Sequence, residues 1–424
     1  MERKLYRLRP MQRWLIDTHF EKAKSTMMNI AFCFRLDPLI DVERLAKAIN
    51  DTLEHHDIFK CRLAIDLETG DICQRFDGAI SPTVFERMNT EQFELRKEQL
   101  RAPYNLIGTP LYRIHILEVD DQNYLYVDFY HAMMDGVSVS FLFLHELAMR
   151  YRGGLRTFQN PAPSYAERII AEQNISDAEL ETSRNYWRRM LDGFDEDKHL
   201  PPADIHSREA WAQNTIDIDM QNVTTDYFKS AVIKENTFFI AATMLSVAKL
   251  TGSDDAIISW VHNGRLNRRD MKLFGLMIEQ LPIKFDFKRD ITVSEYLAAL
   301  DAELATGLTH MPGLDVIYSE GLEDYCVSFI MQGKIHKTTY IIDDKPVEVV
   351  DVPQNDYSAV ENAIDVEMNV NDDGSYTLVL DYDASRYSER AMKNFAATFD
   401  EIILALKDGG RMLSTILHGE GSQS

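Results

Sequence analysis

The residues best suited to chemistry lie in Asp128–Gly136, DFYHAMMDG, where His131 is followed four positions later by Asp135-Gly136. An imidazole titrates near neutrality, so His131 can take a proton from an amine or hydroxyl as that group attacks an activated carbonyl. No Ser or Cys nucleophile stands beside it. A His used alone suits a reaction in which the substrate supplies the nucleophile, and acyl transfer from a thioester is the natural example. The bland alternative is a His that only packs at a strand end.

The element that must position this His is the run Tyr124–Phe129, which alternates and is rich in aromatic and β-branched residues, the pattern of a buried strand. His131 then falls where a strand gives way to a loop, so its position is fixed while its tip stays open. The Asp135-Gly136 pair reads as a tight turn with Gly136 at unusual backbone angles. Behind it, Ser138–Tyr151 has the apolar spacing of a helix packed beneath the loop, ended by Gly153-Gly154.

The rest of the chain alternates helix and strand. Helices are expected from Pro10, from Asp41 to about Leu53, over Glu91–Arg101, Ser176–Leu191, Thr225–Lys234, Thr237–Leu250, Thr292–Thr309 and Ser388–Leu406. Strands are expected at Asn29–Leu36, Leu111–Val119, Thr215–Met220, Asp255–Val261, Tyr325–Met331, Thr338–Ile342, Ala363–Val370 and Tyr376–Tyr382, and a hairpin at Arg62–Phe76. Phe158–Ser164, with two prolines, reads as a linker. A chain of 424 residues exceeds the usual limit for one core. Two α/β lobes with mixed sheets follow, residues 1–160 carrying the His motif and residues 161–424 forming the second.

The net charge of −23 repels phosphate backbones and anionic lipid, which argues against nucleic-acid binding. No stretch approaches the roughly 18 apolar residues that span a bilayer. Four scattered cysteines without CxxC spacing suggest neither zinc nor a disulfide framework, and a cytoplasmic location is expected. No metal site is expected either. His55-His56 closes a helix, where adjacent side chains point about 100° apart and do not readily share an ion; a His at the negative end of the helix dipole is the simpler account. Fingerprints for dinucleotides, P-loops, zincins and α/β-hydrolases are absent.

His131–Gly136 resembles the HxxxDG core of the HHxxxDG motif shared by the CoA-dependent acyltransferase superfamily, which includes chloramphenicol acetyltransferases and nonribosomal peptide synthetase condensation domains. Leu8-Arg9-Pro10-Met11-Gln12-Arg13-Trp14 looks like the opening motif of condensation domains, and His55–Leu63 is similar to their RHExLRTxF segment. Leu273–Pro282 resembles the GxFVNTLP stretch, and Leu380–Asp383 the strand before the last helix. The order holds over nearly the whole chain.

The resemblance implies two chloramphenicol-acetyltransferase-like lobes arranged as a V, with His131 as general base or positioner. It implies structural roles for Asp135 and for Arg265 as its partner, the latter otherwise a solvated surface Arg, while Gly136 leaves room for the substrate arm. The first His of the motif is Tyr130 here. Tyr130, Gly275, Glu279 and Gln280 are candidate channel residues, the last two replacing small polar ones. Donors would be CoA or phosphopantetheine thioesters, as acyl-CoA or on an acyl or peptidyl carrier protein, and acceptors small amines or alcohols. No tightly bound cofactor is implied. Without a carrier site or adenylation domain, a free-standing condensation-like protein is expected. The rival reading is a non-catalytic module that recruits a carrier protein or partner enzyme.

Overall fold

The computed structural model describes residues 4–21, 23–153, 162–205, 213–231, 233–320, 326–333, 340–353 and 362–419. The expected linker at Phe158–Ser164 lies largely outside these residues, as does the start of the strand expected at Thr338–Ile342. The chain forms two compact units. Unit 1 takes Met1–Ile175, Asn263–Ile278 and Thr338–Asp356, and unit 2 the remainder. Arg265, which chain order assigns to the second half, therefore belongs with His131 in unit 1.

Unit 1 is built on a five-stranded mixed sheet. Its strands β1 (Asn29–Arg35), β2 (Val84–Met88), β3 (Tyr112–Val119) and β4 (Gln122–Tyr130) join the short strand Glu348–Val350. The spatial order is Glu348–Val350, β1, β4, β3, β2. The β2–β3 pair is parallel and the others antiparallel. Around it lie α1 (Pro10–Glu21), α2 (Val42–His55), α3 (Thr90–Leu100), α4 (Leu144–Tyr151) and α5 (Tyr165–Gln173). Leu45, Ile49 and Leu53 of α2 share the core with Leu125, Val127 and Phe129 of β4, because the helical and strand periods each deliver one apolar face to the same interior. Asp41 caps α2 through Arg44 N, and Asn89 closes a capping box on α3.

Unit 2 carries a six-stranded mixed sheet of β5 (Gln213–Thr224), β6 (Asp255–His262), β7 (Glu279–Asp286), β8 (Val327–Gly333), β9 (Ile364–Val370) and β10 (Ser375–Asp383). Their order is β7-β6-β8-β9-β10-β5, with β8 parallel to β6 and β9. Its helices are α6 (Asp177–Leu191), α7 (Glu235–Thr251), α8 (Val293–Thr309) and α9 (Glu389–Leu406). The α7 helix is buried on nearly all sides from Thr237 to Ala248, as its predominantly apolar sequence requires. Ser176 forms a capping box with Glu179 at the start of α6, and the Asn371–Gly374 turn joins β9 to β10. Two mixed sheets in two lobes match the expected class.

Two local expectations change. The helix expected over Ser138–Tyr151 begins as a π-helix, Ser138–Phe143, before α4 takes over. The helix expected at Thr225–Lys234 ends at Ser230.

Candidate functional site

Strand β4 ends at Tyr130, and the chain turns at once. His131 N donates to Met28 O at 2.8 Å, while Met133 N and Met134 N both donate to Tyr130 O. Gln12, a buried residue of α1, donates from Nε2 to Ala132 O at 2.9 Å and exchanges a further side-chain bond with Gln74. The backbone on each side of His131 is therefore tied down by a neighbouring element. The residue keeps partial access to solvent while its Nδ1 is buried without a hydrogen bond of ordinary geometry. Burial lowers the imidazole pKa, opposed by its own backbone carbonyl and by the Asp135 charge. A lowered value keeps the ring neutral at pH 7, the state a general base requires.

Asp135 turns its carboxylate toward the protein. Oδ2 accepts from Arg265 Nη1 at 2.8 Å and from Met277 N at 2.9 Å; Oδ1 accepts from Ser138 N at 2.8 Å and from Arg265 Nη2 at 3.1 Å. Neither side chain of the pair reaches solvent. Burial alone would raise the Asp135 pKa, but the Arg265 charge and these four donors hold it below its usual value. The Ser138 bond is an N-cap. Gly136 accordingly does not stand at positive φ in a tight turn, as its sequence context suggested, but starts the helical turn behind the cap. A Cβ added at Gly136 would meet nothing within 4 Å, so the space beside the loop is open.

Arg265 is held as firmly as it holds. Its Nη2 also donates to Ser138 Oγ at 2.7 Å and to Leu273 O at 3.2 Å, and its Nη1 to Asn263 O at 3.1 Å. Asn263 Oδ1 accepts from Arg265 N across the turn. Gly264 has φ 65°, and a Cβ there would fall 1.7 Å from Met277 O. Only glycine lets the 263–278 segment double back so closely.

Gly275, at φ 143°, would drive a Cβ to 2.3 Å from the Tyr165 ring. Tyr165 donates its hydroxyl to Leu276 O at 3.0 Å and begins α5, whose N-terminus is capped by Asp57 through Ser164 Oγ, Tyr165 N and Ala166 N. The acidic residue after His55-His56 thus supports the segment that carries Arg265. Ser138 Oγ completes the link, donating to Gly275 O at 2.9 Å and accepting from Gly275 N.

The structure brings His131, Asp135, Gly136, Arg265 and Gly275 into one unit, with packing accounting for Gly275. Tyr130 is fully buried, donating to Leu15 O at 3.3 Å with its ring edge-on to His19. Its surroundings are those of a core residue, and burial raises its pKa. Glu279 and Gln280 open β7 in unit 2, where Glu279 pairs with His262 and Gln280 donates to Ser259 Oγ at 2.6 Å. Ser138, Gln12 and Gly264 were not singled out from sequence as site residues. Their signals were a polar residue three places after an N-cap, a Gln inside an apolar helix face, and a glycine before an arginine.

The model of the condensation-domain family matches residues 2–414. The chain belongs to the condensation-domain family. This condensation domain is 22% identical over 417 residues to surfactin synthase subunit 1 of Bacillus subtilis (strain 168), covering 94% of the chain and 11% of that protein. It is 25% identical over 312 residues to bacitracin synthase 3 of Bacillus licheniformis, covering 70% of the chain and 5% of that protein. The chain therefore spans a small fraction of the length of these curated relatives.

Among solved structures, the condensation domain of the monacolin K polyketide synthase superposes with a TM-score of 0.76 at 18% identity, covering 97% of this chain and 99% of that one. The teicoplanin X-domain in complex with OxyB gives 0.76 at 18%, covering 98% and 96%. At these identities the structures establish the pseudo-dimeric chloramphenicol-acetyltransferase-like fold. Family membership supports acyl-transfer chemistry. Among the described residues, no helix is long and apolar enough to cross a membrane.

Proposed function

We propose that this condensation domain transfers an acyl group from a thioester to an amine or hydroxyl, with His131 as the general base. The observation that carries the reading is a partly accessible imidazole on a loop fixed by a fully buried Asp135–Arg265 pair. With Nδ1 buried, Nε2 is the nitrogen left to face substrate. It accepts the proton as the acceptor's N or O bonds to the carbonyl carbon. The tetrahedral intermediate then expels sulfur, and the imidazolium returns the proton, so that the products are the amide or ester and a free thiol. The donor is CoA-bound or carried on a phosphopantetheine arm of a carrier protein. Asp135 does not touch the imidazole; it fixes the loop.

A thioester-consumption assay with free-thiol detection tests this. Release of thiol dependent on both acceptor and His131 supports it, and turnover unchanged by His131→Ala overturns it.

The second reading is recruitment without catalysis. It is favoured by the likeness to the X-domain, whose structure is that of a complex with OxyB, and by the buried Tyr130 in place of the motif's first His. Stable capture of a carrier protein with no turnover across acyl-CoA and carrier-bound donors would select it.

A further inference from the structure

Adjacent histidines on one helix diverge, which is why His55-His56 was not expected to share an ion. In the structure the chain leaves the helix between them. His55 is the last residue of α2, while His56 is its C-cap in an extended conformation, φ −112° and ψ 129°. The two rings meet edge to face with centroids 5.0 Å apart. From α4, Glu146 reaches the same place, its Oε2 2.8 Å from His56 Nε2. Each of the three residues offers a donor atom within 4.8 Å of the other two.

We propose that His55, His56 and Glu146 form a divalent-metal site, with zinc the ion that two imidazoles and one carboxylate suit best. Tetrahedral zinc at about 2.0–2.2 Å from each ligand needs donor separations near 3.3 Å. His56 Nε2 and Glu146 Oε2 stand 2.8 Å apart and the three donor atoms all lie within 4.8 Å of one another, so the side chains adjust from these positions to take up the ion. Arg150 Nε donates to Glu146 Oε1 at 2.7 Å, orienting the carboxylate and leaving Oε2 for the ion. Its positive charge also makes the site weaker than a closed structural zinc centre.

His56 turns Nε2, and not Nδ1, toward Glu146. The residue is 4% exposed, yet its Nδ1 has no hydrogen-bond partner. When Nε2 binds the ion, the ring's proton has Nδ1 to occupy. His55, half-buried, gives the ion a route from solvent, and a water completes the fourth position. The ion would brace α2 against α4. The His56 ring also lies on Phe274, centroids 3.9 Å apart, in the segment that carries Arg265. The site does not depend on the acyl-transfer reading.

The test uses the full chain, stripped with a chelator, exchanged into buffer and titrated with Zn²⁺ by calorimetry and with Co²⁺ by visible absorption. One ion per chain is expected, with the Co²⁺ spectrum of a nitrogen and oxygen site. His55→Ala and Glu146→Gln should each weaken binding at least tenfold, whereas His145→Ala, at an exposed histidine on the same helix as Glu146, should leave it unchanged. Absence of saturable binding overturns the proposal, as does an affinity that His55→Ala leaves unaltered. If Glu146→Gln fails to fold by circular dichroism, His55→Ala decides the matter alone.

Discussion

Arg265 Nη1 lies 2.8 Å from Asp135 Oδ2 across 130 residues of sequence, and both side chains are wholly shielded from solvent. Removing one partner leaves the other as an uncompensated buried charge, which costs about 3–5 kcal/mol. Arg265→Ala should therefore lower the unfolding free energy by that order in urea denaturation. The pair also has a pH signature. The Asp135 pKa is depressed on folding, so its contribution is complete above the unfolded value of about 3.9 and is lost as pH falls through the lower folded value. In Arg265→Ala that depression disappears, and acid unfolding should begin at higher pH.

His131→Ala should cost turnover roughly a hundredfold or more, the order expected when a general base is removed. The pH dependence of kcat/KM should carry an acid limb below the ordinary histidine value of about 6.5, because burial disfavours the imidazolium. Activity is kept above that limb and lost below it. A limb well above that value would contradict the neutral, desolvated ring.

Gly275→Ala and Gly136→Ala form a matched pair. At Gly275 the new methyl meets the Tyr165 ring at 2.3 Å and the backbone is left-handed, so a loss of about 1–3 kcal/mol is expected, the range for overpacking. At Gly136 the methyl meets nothing, and stability should stay within about 0.5 kcal/mol. If the open space beside His131 admits the substrate arm, Gly136→Ala raises KM while the melting curve stays put.

Tyr130→Phe removes one hydroxyl whose partner is Leu15 O at 3.3 Å. A loss of stability near 1 kcal/mol is expected for such a buried bond, while kcat should stay within about threefold of the parent, a barrier change of about 0.7 kcal/mol at most, because the hydroxyl bonds Leu15 O. A large fall in kcat at unchanged stability would instead give the hydroxyl a chemical role.

The sequence alone determined the local elements and the place of His131 at a strand end. Alternating residues before His131 made β4, the Ser176–Glu179 spacing set the start of α6, and a strand end left the imidazole partly accessible. These are legible because they depend on neighbours within a few residues, where backbone period and side-chain type suffice. What the fold alone decided depends on residues far apart in the chain. Arg265 joins unit 1 because Gly264 lets the segment 263–278 turn against Met277 O, and Gly275 lets it pass beneath Tyr165. Tyr130, read as a channel candidate, lies against Leu15 and His19, a setting fixed by helix α1. Glu146 comes beside His56 only when α4 packs on the end of α2. Such meetings are set by how whole elements stack, a choice made by the summed burial of many side chains. No spacing within DFYHAMMDG encodes it.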